Sequence, residues 1–207
     1  MSAMNDVARH YDLLIDEGND PVLDPPELAA YMDGWDGGLF VDALRLNGTQ
    51  DVLEIGVGTG RLAVRIAPQS ASFTGIDISQ KSLARAAQHL AGCPQARLVC
   101  ADFMAWKTQA RFDVAYSSLT FMHLADKRGA AQKAASLLKS GGRLVLSLDR
   151  DDSGVLDYGT RRLTVYPDDP VLLAAHLQEA GLTVQPVLET ERAYILVATK
   201  GESDGWA

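Results

Sequence analysis

The 207-residue sequence has few of the residues that form disulfides or metal sites. Its two cysteines, Cys93 and Cys100, are too few for a disulfide framework and favour a reduced, intracellular protein. The four histidines show no metal-ligand spacing, so the sequence predicts no structural metal. It also lacks an apolar run long enough to span a membrane and a basic-then-apolar leader, which together predict a cytoplasmic protein without a membrane partner.

Basic residues are also in the minority. The 19 lysines and arginines are outnumbered by 27 acidic residues, which gives a formal charge of −8 at pH 7. Because phosphate backbones are bound by clustered Lys and Arg, this balance argues against a nucleic-acid partner. The basic pairs Lys127-Arg128 and Arg161-Arg162 are short enough to be ordinary solvated surface. A small molecule is therefore the expected partner.

A glycine-rich turn is the most informative feature that the sequence does contain. Residues 51–60, DVLEIGVGTG, form an apolar strand that runs into three glycines, and a second apolar strand at 72–76 is followed by Asp77. Strand, glycine turn, helix, strand and acid is the pattern by which α/β proteins bind an adenosine-containing cofactor. The glycines permit backbone conformations and close approaches to a ligand that a Cβ would block.

The spacing of the glycines distinguishes between cofactors. A dinucleotide fingerprint requires Gly-x-Gly-x-x-Gly, but Arg61 occupies the third position and Gly60 comes one residue early. Glu54 and Asp77 add negative charge where a dinucleotide would bring two phosphates. The pattern therefore favours a cationic ligand without phosphates over NAD.

With these features the chain resembles the class I, Rossmann-like S-adenosylmethionine-dependent methyltransferases of small-molecule type. The resemblance rests on Glu54-x-Gly56-x-Gly58-x-Gly60, on Asp77, on Ala101-Asp102-Phe103 and on residues 112–148, and it covers roughly residues 50–200. It implies an α/β fold with a doubly wound, mostly parallel seven-stranded sheet in the order 3-2-1-4-5-7-6. The last strand would be antiparallel, and helices would cover both faces.

The resemblance also implies S-adenosyl-L-methionine as the cofactor and gives individual residues their roles. Asp77 would accept hydrogen bonds from both ribose hydroxyls, and Ile78 would pack on the adenine. Asp102 would accept from the adenine amino group, with the backbone N–H of Phe103 facing a ring nitrogen. The methionine end of the cofactor would lie against Glu54, Gly56, Gly58, Gly60 and Ser117.

Several of these residues have a purely structural alternative. Asp77 could cap the next helix, although Ser79 is better placed to do so. Asp102 could start the turn that follows the third strand, and Phe103 could belong to the core. The glycine run alone could be only a tight turn between a strand and a helix.

Hydrophobic periodicity places the remaining elements. It predicts strands at 51–55, 72–76, 97–100, 112–116 and 143–148, separated by helical stretches. Helices are predicted at 125–139, stopped by a Gly-Gly pair, and at 171–180, started by Asp169-Pro170 and ended by Gly181. Segments 182–188 and 193–199 are expected to be the final strands. The extended segment 161–166 lies outside the minimal pattern and is interpreted as an inserted hairpin near the acceptor site.

The length predicts one domain, residues 1–207, with a helical cap at 1–49, a cofactor-binding α/β core at 50–200 and a flexible tail at 201–207. The aromatic residues of the cap are typical of helices packed on a sheet edge. The resemblance adds that Tyr11 and Trp35 line the acceptor pocket. It also makes His123 a candidate general base or acceptor-binding residue, with a packing histidine as the alternative.

The activity that this resemblance implies is methyl transfer to a small molecule by in-line displacement, in which the protein mainly positions the reactants. A non-catalytic S-adenosylmethionine-binding or regulatory protein is one alternative. A nucleotide-dependent oxidoreductase is another, and Arg61 argues against it. The sequence leaves open the acceptor, the use of a general base, the oligomeric state and the role of segment 161–166.

Overall fold

The structure of the chain, a computed structural model, describes residues 3–202. Its strands are β1 (Asp51–Ile55), β2 (Ser72–Asp77), β3 (Ala96–Cys100), β4 (Phe112–Ser118), β5 (Leu138–Asp149), β6 (Val155–Asp157), β7 (Arg162–Thr164), β8 (Leu182–Val184), β9 (Leu188–Glu189) and β10 (Ala193–Lys200). Its α-helices are α1 (Ala3–Asp16), α2 (Pro26–Asp36), α3 (Gly38–Leu44), α4 (Ala63–Ile66), α5 (Gln80–His89), α6 (Lys127–Leu137) and α7 (Pro170–Glu179).

The main sheet has the order β3-β2-β1-β4-β5-β10-β8, and β9 pairs with β10. Strands β1 to β5 are mutually parallel, whereas β10 runs antiparallel to β5, β8 and β9. The predicted α/β sheet and its strand order are therefore confirmed, with β10 as the antiparallel last strand. The predicted strand 182–188 is divided into β8 and β9, with Pro186 in the gap, where its missing N–H cannot contribute to a ladder.

Helix starts follow the predicted capping residues. Ser79 caps α5 by accepting a hydrogen bond from the Ser82 backbone N–H at 3.0 Å. Asp169 caps α7 by accepting from two backbone N–H groups, and Pro170 occupies the first turn. The predicted helix 125–139 is shorter, because Asp126 caps it and Leu138 already pairs with Phe112 at the start of β5.

The core lies on both faces of the sheet. Leu53, Leu144 and Leu146 face helices α6 and α7, where Ala130 and Ala134 are fully buried and permit close packing. The opposite face packs against α3, α4 and α5 through another set of buried side chains, among them Val52, Phe40, Leu44, Ile66 and Leu83. This arrangement follows from the alternation of side chains along each strand.

Three helices lie within the predicted cap, and α1 crosses the junction of β2 and α5. Asp12 accepts hydrogen bonds from the Ser79 hydroxyl at 2.6 Å and from the Lys81 backbone N–H at 3.2 Å. The Lys81 ammonium also pairs with Asp16 at 2.5 Å. These contacts fix α1 across the carboxyl edge of the sheet.

Strands β6 and β7 form an antiparallel hairpin separate from the main sheet. Segment 161–166 thus contributes the second strand of a hairpin, and the first strand, 155–157, was not predicted. Residues 203–207 of the predicted tail lie outside the described residues. Within residues 3–202, no helix combines the length and the apolar character needed to cross a membrane.

Candidate functional site

The glycine turn leaves β1 in a conformation that few other residues adopt. Gly56, Gly58 and Gly60 have φ values of +79°, +55° and +95°. The backbone N–H groups of Gly56 and Val57 donate to the Ile76 carbonyl at 2.9 and 3.0 Å, which ties the turn to β2. A Cβ at Gly56 would lie 2.0 Å from Thr120 Oγ1, so glycine is required at this position by both conformation and space.

Asp77 lies beside this turn at the end of β2. Its Oδ2 accepts a hydrogen bond from the Gly58 N–H at 2.8 Å, and its Oδ1 accepts from the Ser79 N–H at 2.8 Å. Burial raises the pKa of the Asp77 carboxyl, whereas these backbone N–H groups act in the opposite direction. The carboxylate is thereby held rigidly between the glycine turn and α5.

A cavity of about 440 Å³ opens at the carboxyl edge of the sheet. Its wall includes the last residues of four strands, Ile55, Asp77, Ser118 and Asp149, at the edge where open α/β sheets bind ligands. The volume is in the range of small-molecule and cofactor sites. Of the residues assigned from the sequence, the wall contains Gly56, Gly58, Asp77, Ile78, Phe103, Tyr11 and His123.

The residues present fit an adenosine-bearing cation. The Gly56–Gly58 turn leaves backbone exposed to the cavity, Asp77 supplies a carboxylate, and Ile78 and Phe103 supply apolar walls. Among the described residues, the wall has carboxylates at Asp24, Asp77 and Asp149 but no lysine or arginine. A ligand with phosphates would therefore meet negative charge, whereas a sulfonium would be favoured.

Glu54 lies beneath the turn rather than in the cavity wall. It is 3% exposed, and its Oε2 accepts a hydrogen bond from the Tyr116 hydroxyl at 2.7 Å. Burial raises the pKa of Glu54 to about 8, although the Tyr116 hydroxyl and Arg61 act in the opposite direction. In this structure Glu54 bonds to Tyr116 of the neighbouring strand β4 and does not border the cavity.

Asp102, Gly60 and Ser117 also lie outside the cavity wall. Asp102 Oδ1 accepts from the Met104 N–H at 2.8 Å, which is the turn-forming role given as its alternative. A Cβ at Gly60 would make an ordinary contact with Ala86 of α5 at 3.6 Å, so the backbone φ of +95° and not the space calls for glycine at this position. Ser117 donates its hydroxyl to the Ile55 carbonyl at 2.9 Å, and the next residue, Ser118, borders the cavity instead.

Trp35 is directed to another part of the molecule. Its ring lies 5.3 Å from the Tyr31 ring and 5.0 Å from the Arg192 guanidinium, next to β10. Its carbonyl accepts a hydrogen bond from the Ser147 hydroxyl at 2.6 Å. Trp35 therefore joins α2 to the sheet and does not line the cavity, whereas Leu28 and Met32 of the same helix do.

Tyr11 and His123 form a polar pair inside the cavity wall. The Tyr11 hydroxyl lies 2.8 Å from His123 Nε2, and the two rings meet edge to face at 5.5 Å. Burial raises the pKa of Tyr11 well above its ordinary value and lowers the pKa of His123 to about 4, so both side chains are neutral at neutral pH. The other ring nitrogen, Nδ1, is buried without a hydrogen-bond partner among the described residues.

Arg61 has a structural role that the glycine spacing alone does not reveal. Its guanidinium forms a bidentate pair with the fully buried Asp36 at the end of α2, and one of these contacts measures 2.8 Å. The Ser118 hydroxyl also donates to Asp36. The residue that replaces the third fingerprint glycine thus attaches α2 to the glycine turn and to the end of β4.

Further wall residues were not predicted from the sequence, among them Leu14, Leu28, Met32, Met122, Leu156 and Tyr158. The spacing of Leu28 and Met32 on α2 is one signal, because residues four apart share a helix face. Leu119 has φ of +53°, which re-aims the chain after β4. No local pattern marks Leu156 and Tyr158, since the hairpin reaches the cavity only through folding.

Comparison with known proteins agrees with this geometry. Residues 52–142 match a family model described as a methyltransferase domain. Over 108 residues the chain is 36% identical to an uncharacterized methyltransferase of Mycobacterium tuberculosis, covering 52% of this chain and 54% of the relative. Over 112 residues it is 36% identical to a ubiquinone biosynthesis O-methyltransferase of Paracidovorax citrulli, covering 52% and 47%.

The chain spans about half the length of these curated relatives. A crystal structure of magnesium protoporphyrin IX methyltransferase from Synechocystis PCC 6803 with bound S-adenosylmethionine has a similar fold. The TM-score is 0.72 at 18% identity, and the match covers 97% of this chain and 98% of the other. Residues 52–142 therefore match the methyltransferase domain family, and the chain has the Rossmann-like fold of that methyltransferase structure.

Proposed function

We propose that this protein transfers a methyl group from S-adenosylmethionine to a small-molecule acceptor. The observation that carries the proposal is the cavity bounded by the glycine turn, Asp77 and α1 at the carboxyl edge of the sheet. When bound, the cofactor supplies an electrophilic methyl group on a sulfonium. The protein then has to hold two ligands in line and exclude water.

The donor half of the cavity is assigned to the residues that follow β1, β2 and β3. Each Asp77 oxygen already accepts one backbone N–H bond and has a second lone pair for a ribose hydroxyl. Ile78 and Phe103 form the apolar walls for the adenine ring. Asp102 is assigned the positioning of Phe103, since it stabilises the turn that carries that residue.

The acceptor half is assigned to α1, α2, the loop after β4 and the hairpin. These elements contribute Tyr11, Met32, His123 and Leu156 to the same cavity. The names of two similar proteins support a small acceptor. One is a ubiquinone biosynthesis O-methyltransferase, and the other is a magnesium protoporphyrin IX methyltransferase. The wider placement of residues 1–49 as a cap on the α/β core of one domain is part of this proposal.

Isothermal titration with S-adenosylmethionine, S-adenosylhomocysteine and NAD tests the donor site. We expect saturable binding of the first two and none of NAD. Asp77→Asn should weaken S-adenosylhomocysteine about 10- to 100-fold, because a charge-assisted hydrogen bond contributes about 1.5–3 kcal/mol. Asp42→Asn, a substitution of an exposed carboxylate on α3, is the matched control and should leave the affinity unchanged.

Binding of NAD in preference to S-adenosylhomocysteine, or no binding of either, would overturn the proposal. Turnover on a panel of phenols, amines and carboxylates, followed as release of S-adenosylhomocysteine, separates an enzyme from a non-catalytic binding protein. Binding without turnover on any acceptor would favour the binding protein.

A further inference from the structure

Building on the proposed function, we infer that the acceptor is an apolar molecule with an uncharged hydroxyl group, and that the Tyr11–His123 pair binds this hydroxyl. Tyr11 and His123 lie in the half of the cavity that the glycine turn and Asp77 do not form. The composition of the wall, the sign of its charges and one unpartnered nitrogen of the His123 ring support this assignment.

The wall around the pair is apolar. Val7 and Leu14 of α1, Met32 of α2, Met122 of the loop after β4 and Leu156 of the hairpin all border the cavity. Side chains of this kind bind a ligand through its apolar surface, and methionines adapt to irregular shapes. The bulk of the acceptor is therefore hydrocarbon or aromatic.

The charges of the wall exclude an anionic acceptor. Asp24, Asp77 and Asp149 border the cavity, and no lysine or arginine of the described chain does. A phosphate or carboxylate in this space would lose its hydration, and the charged side chains of the wall would repel it. The arginine of the hairpin, Arg161, is already paired with Glu17, the residue that follows α1, and is not part of the wall.

The unpartnered nitrogen selects a hydroxyl among the remaining groups. His123 is 7% exposed and borders the cavity, its Nε2 is engaged by Tyr11, and its Nδ1 has no partner. When Nε2 accepts the Tyr11 hydroxyl hydrogen, Nδ1 carries the ring proton and needs a hydrogen-bond acceptor. When Nε2 carries the proton instead, Nδ1 needs a hydrogen-bond donor. A hydroxyl satisfies both cases, whereas an ammonium only donates and a carboxylate only accepts.

The neutral state of His123 agrees with an uncharged ligand. Burial lowers the pKa of the imidazole to about 4, and the nearby His10 and Lys127 act in the same direction. A neutral imidazole cannot offset an anion, and it offers a hydroxyl one directional hydrogen bond. Tyr11 fixes the ring by occupying its other nitrogen.

Four matched probes test the inference at neutral pH on protein saturated with S-adenosylhomocysteine, namely 4-butylphenol, 4-butylbenzoate, 4-butylbenzylammonium and butylbenzene. Affinities are measured by titration, and the ring nitrogens of His123 are followed by ¹⁵N NMR. We expect the phenol to bind about tenfold more tightly than butylbenzene, as one hydrogen bond in a buried site predicts, and to shift the Nδ1 signal. The benzoate should not bind.

His123→Gln should reduce the affinity for the phenol to that for butylbenzene while leaving butylbenzene unchanged. Tyr11→Phe should weaken the phenol less, because the ring keeps its nitrogen but loses its fixed orientation. The control is His176→Gln on α7, which removes another imidazole ring outside the cavity and should change neither affinity.

The outcomes separate this inference from the proposed function. Failure of wild-type protein to bind S-adenosylhomocysteine would overturn the function itself. Intact binding of S-adenosylhomocysteine together with no phenol binding, tighter benzoate or benzylammonium binding, or an unmoved Nδ1 signal would overturn only the inference. If His123→Gln does not fold, the wild-type NMR shift and Tyr11→Phe decide.

Discussion

Three acidic residues that the sequence places alike around the glycine turn have different environments in the structure. Asp77 borders the cavity and is held by two backbone N–H groups, Asp102 caps a turn through Met104, and Glu54 is buried against Tyr116. Burial favours the protonated form of a carboxyl group, and hydrogen bonds from backbone N–H groups favour the ionised form. A buried carboxyl group with a single phenol partner is therefore protonated more easily than one with several backbone donors. The environment of each acid therefore decides its chemistry.

Glu54 should make the stability of the protein depend on pH. Its pKa is raised from 4.5 to about 8 on folding, so the folded state binds more protons than the unfolded state within that window. The contribution is complete below pH 4.5 and is lost as the pH rises through 8. At about 1.4 kcal/mol per pKa unit, the loss amounts to several kcal/mol.

Urea unfolding of wild type and Glu54→Gln at pH 5, 6, 7 and 8 measures this effect. The free energy of unfolding of wild type should fall relative to that of the variant as the pH rises. A constant difference between the two proteins across this range would contradict the assignment.

His123 should make the free energy of unfolding depend on pH in the opposite direction. Its pKa is lowered on folding from 6.5 to about 4, so the unfolded state binds more protons between these values and stability falls as the pH drops below 6.5. The difference in free energy of unfolding between wild type and His123→Gln should therefore shrink from pH 7 to pH 4.5. A difference that grows toward low pH would show that His123 is charged in the folded protein.

The elements around the cavity depend on two kinds of attachment. On one side of α1, Asp12 accepts hydrogen bonds from residues at the start of α5. On the other side Glu17, which follows the helix, pairs with Arg161 at 2.7 Å next to β7. The glycine turn is fixed by its backbone, through the Ile76 carbonyl and through Asp77. Helix α1 is thus held mainly by side chains, whereas the turn is held by main-chain geometry.

Alanine substitutions should distinguish Gly56 from Gly58, two positive-φ glycines of the turn, by the space around them. A Cβ at Gly56 would collide with Thr120, whereas a Cβ at Gly58 would meet nothing within 4 Å. We expect Gly58→Ala to cost about 1–2 kcal/mol for its left-handed backbone alone. Gly56→Ala should cost clearly more and should abolish cofactor binding. Urea unfolding measures the stability of each variant, and titration with S-adenosylhomocysteine measures its affinity. An equal loss of stability in the two variants would refute the role of Thr120.

At the scale of the whole molecule, the segment before the sheet is part of the core. Phe40 of α3 is fully buried, and its ring lies 6.1 Å from that of Tyr116 on β4, in an edge-to-face arrangement. Tyr116 in turn donates to Glu54 of β1. The packing of α3 is therefore connected through Tyr116 to the strand that carries the glycine turn.

Removing the Phe40 ring should destabilise the whole fold. Phe40→Ala leaves a large cavity beside Tyr116, and such substitutions cost about 3–5 kcal/mol. Leu39→Ala, at a neighbouring residue that is 45% exposed, is the matched control and should cost less than about 1 kcal/mol. Urea unfolding gives both values. A similar cost for the two variants would show that residues 38–44 are not an integral part of the core.

The sequence by itself determined the features that depend on neighbours a few residues away. The glycine turn, the strands β1 to β4 and the caps Ser79 and Asp169 followed from local conformational preferences and from the periodicity of apolar residues. The order of the sheet was expected only from the resemblance to the methyltransferase family. The predicted ends of helices and strands were less accurate. Leu138 was predicted to lie in a helix but begins β5, because pairing with a distant strand sets where an extended segment begins.

Only the tertiary structure decided the contacts between distant parts of the chain. Tyr11 meets His123 across 112 residues, Arg161 meets Glu17 across 144, and the carbonyl of Trp35 bonds Ser147 across 112. These partners depend on how helices and the hairpin pack over the sheet, which no short pattern encodes. The donor half of the cavity could therefore be located from local motifs, whereas the acceptor half exists only because several distant segments converge at one edge of the sheet.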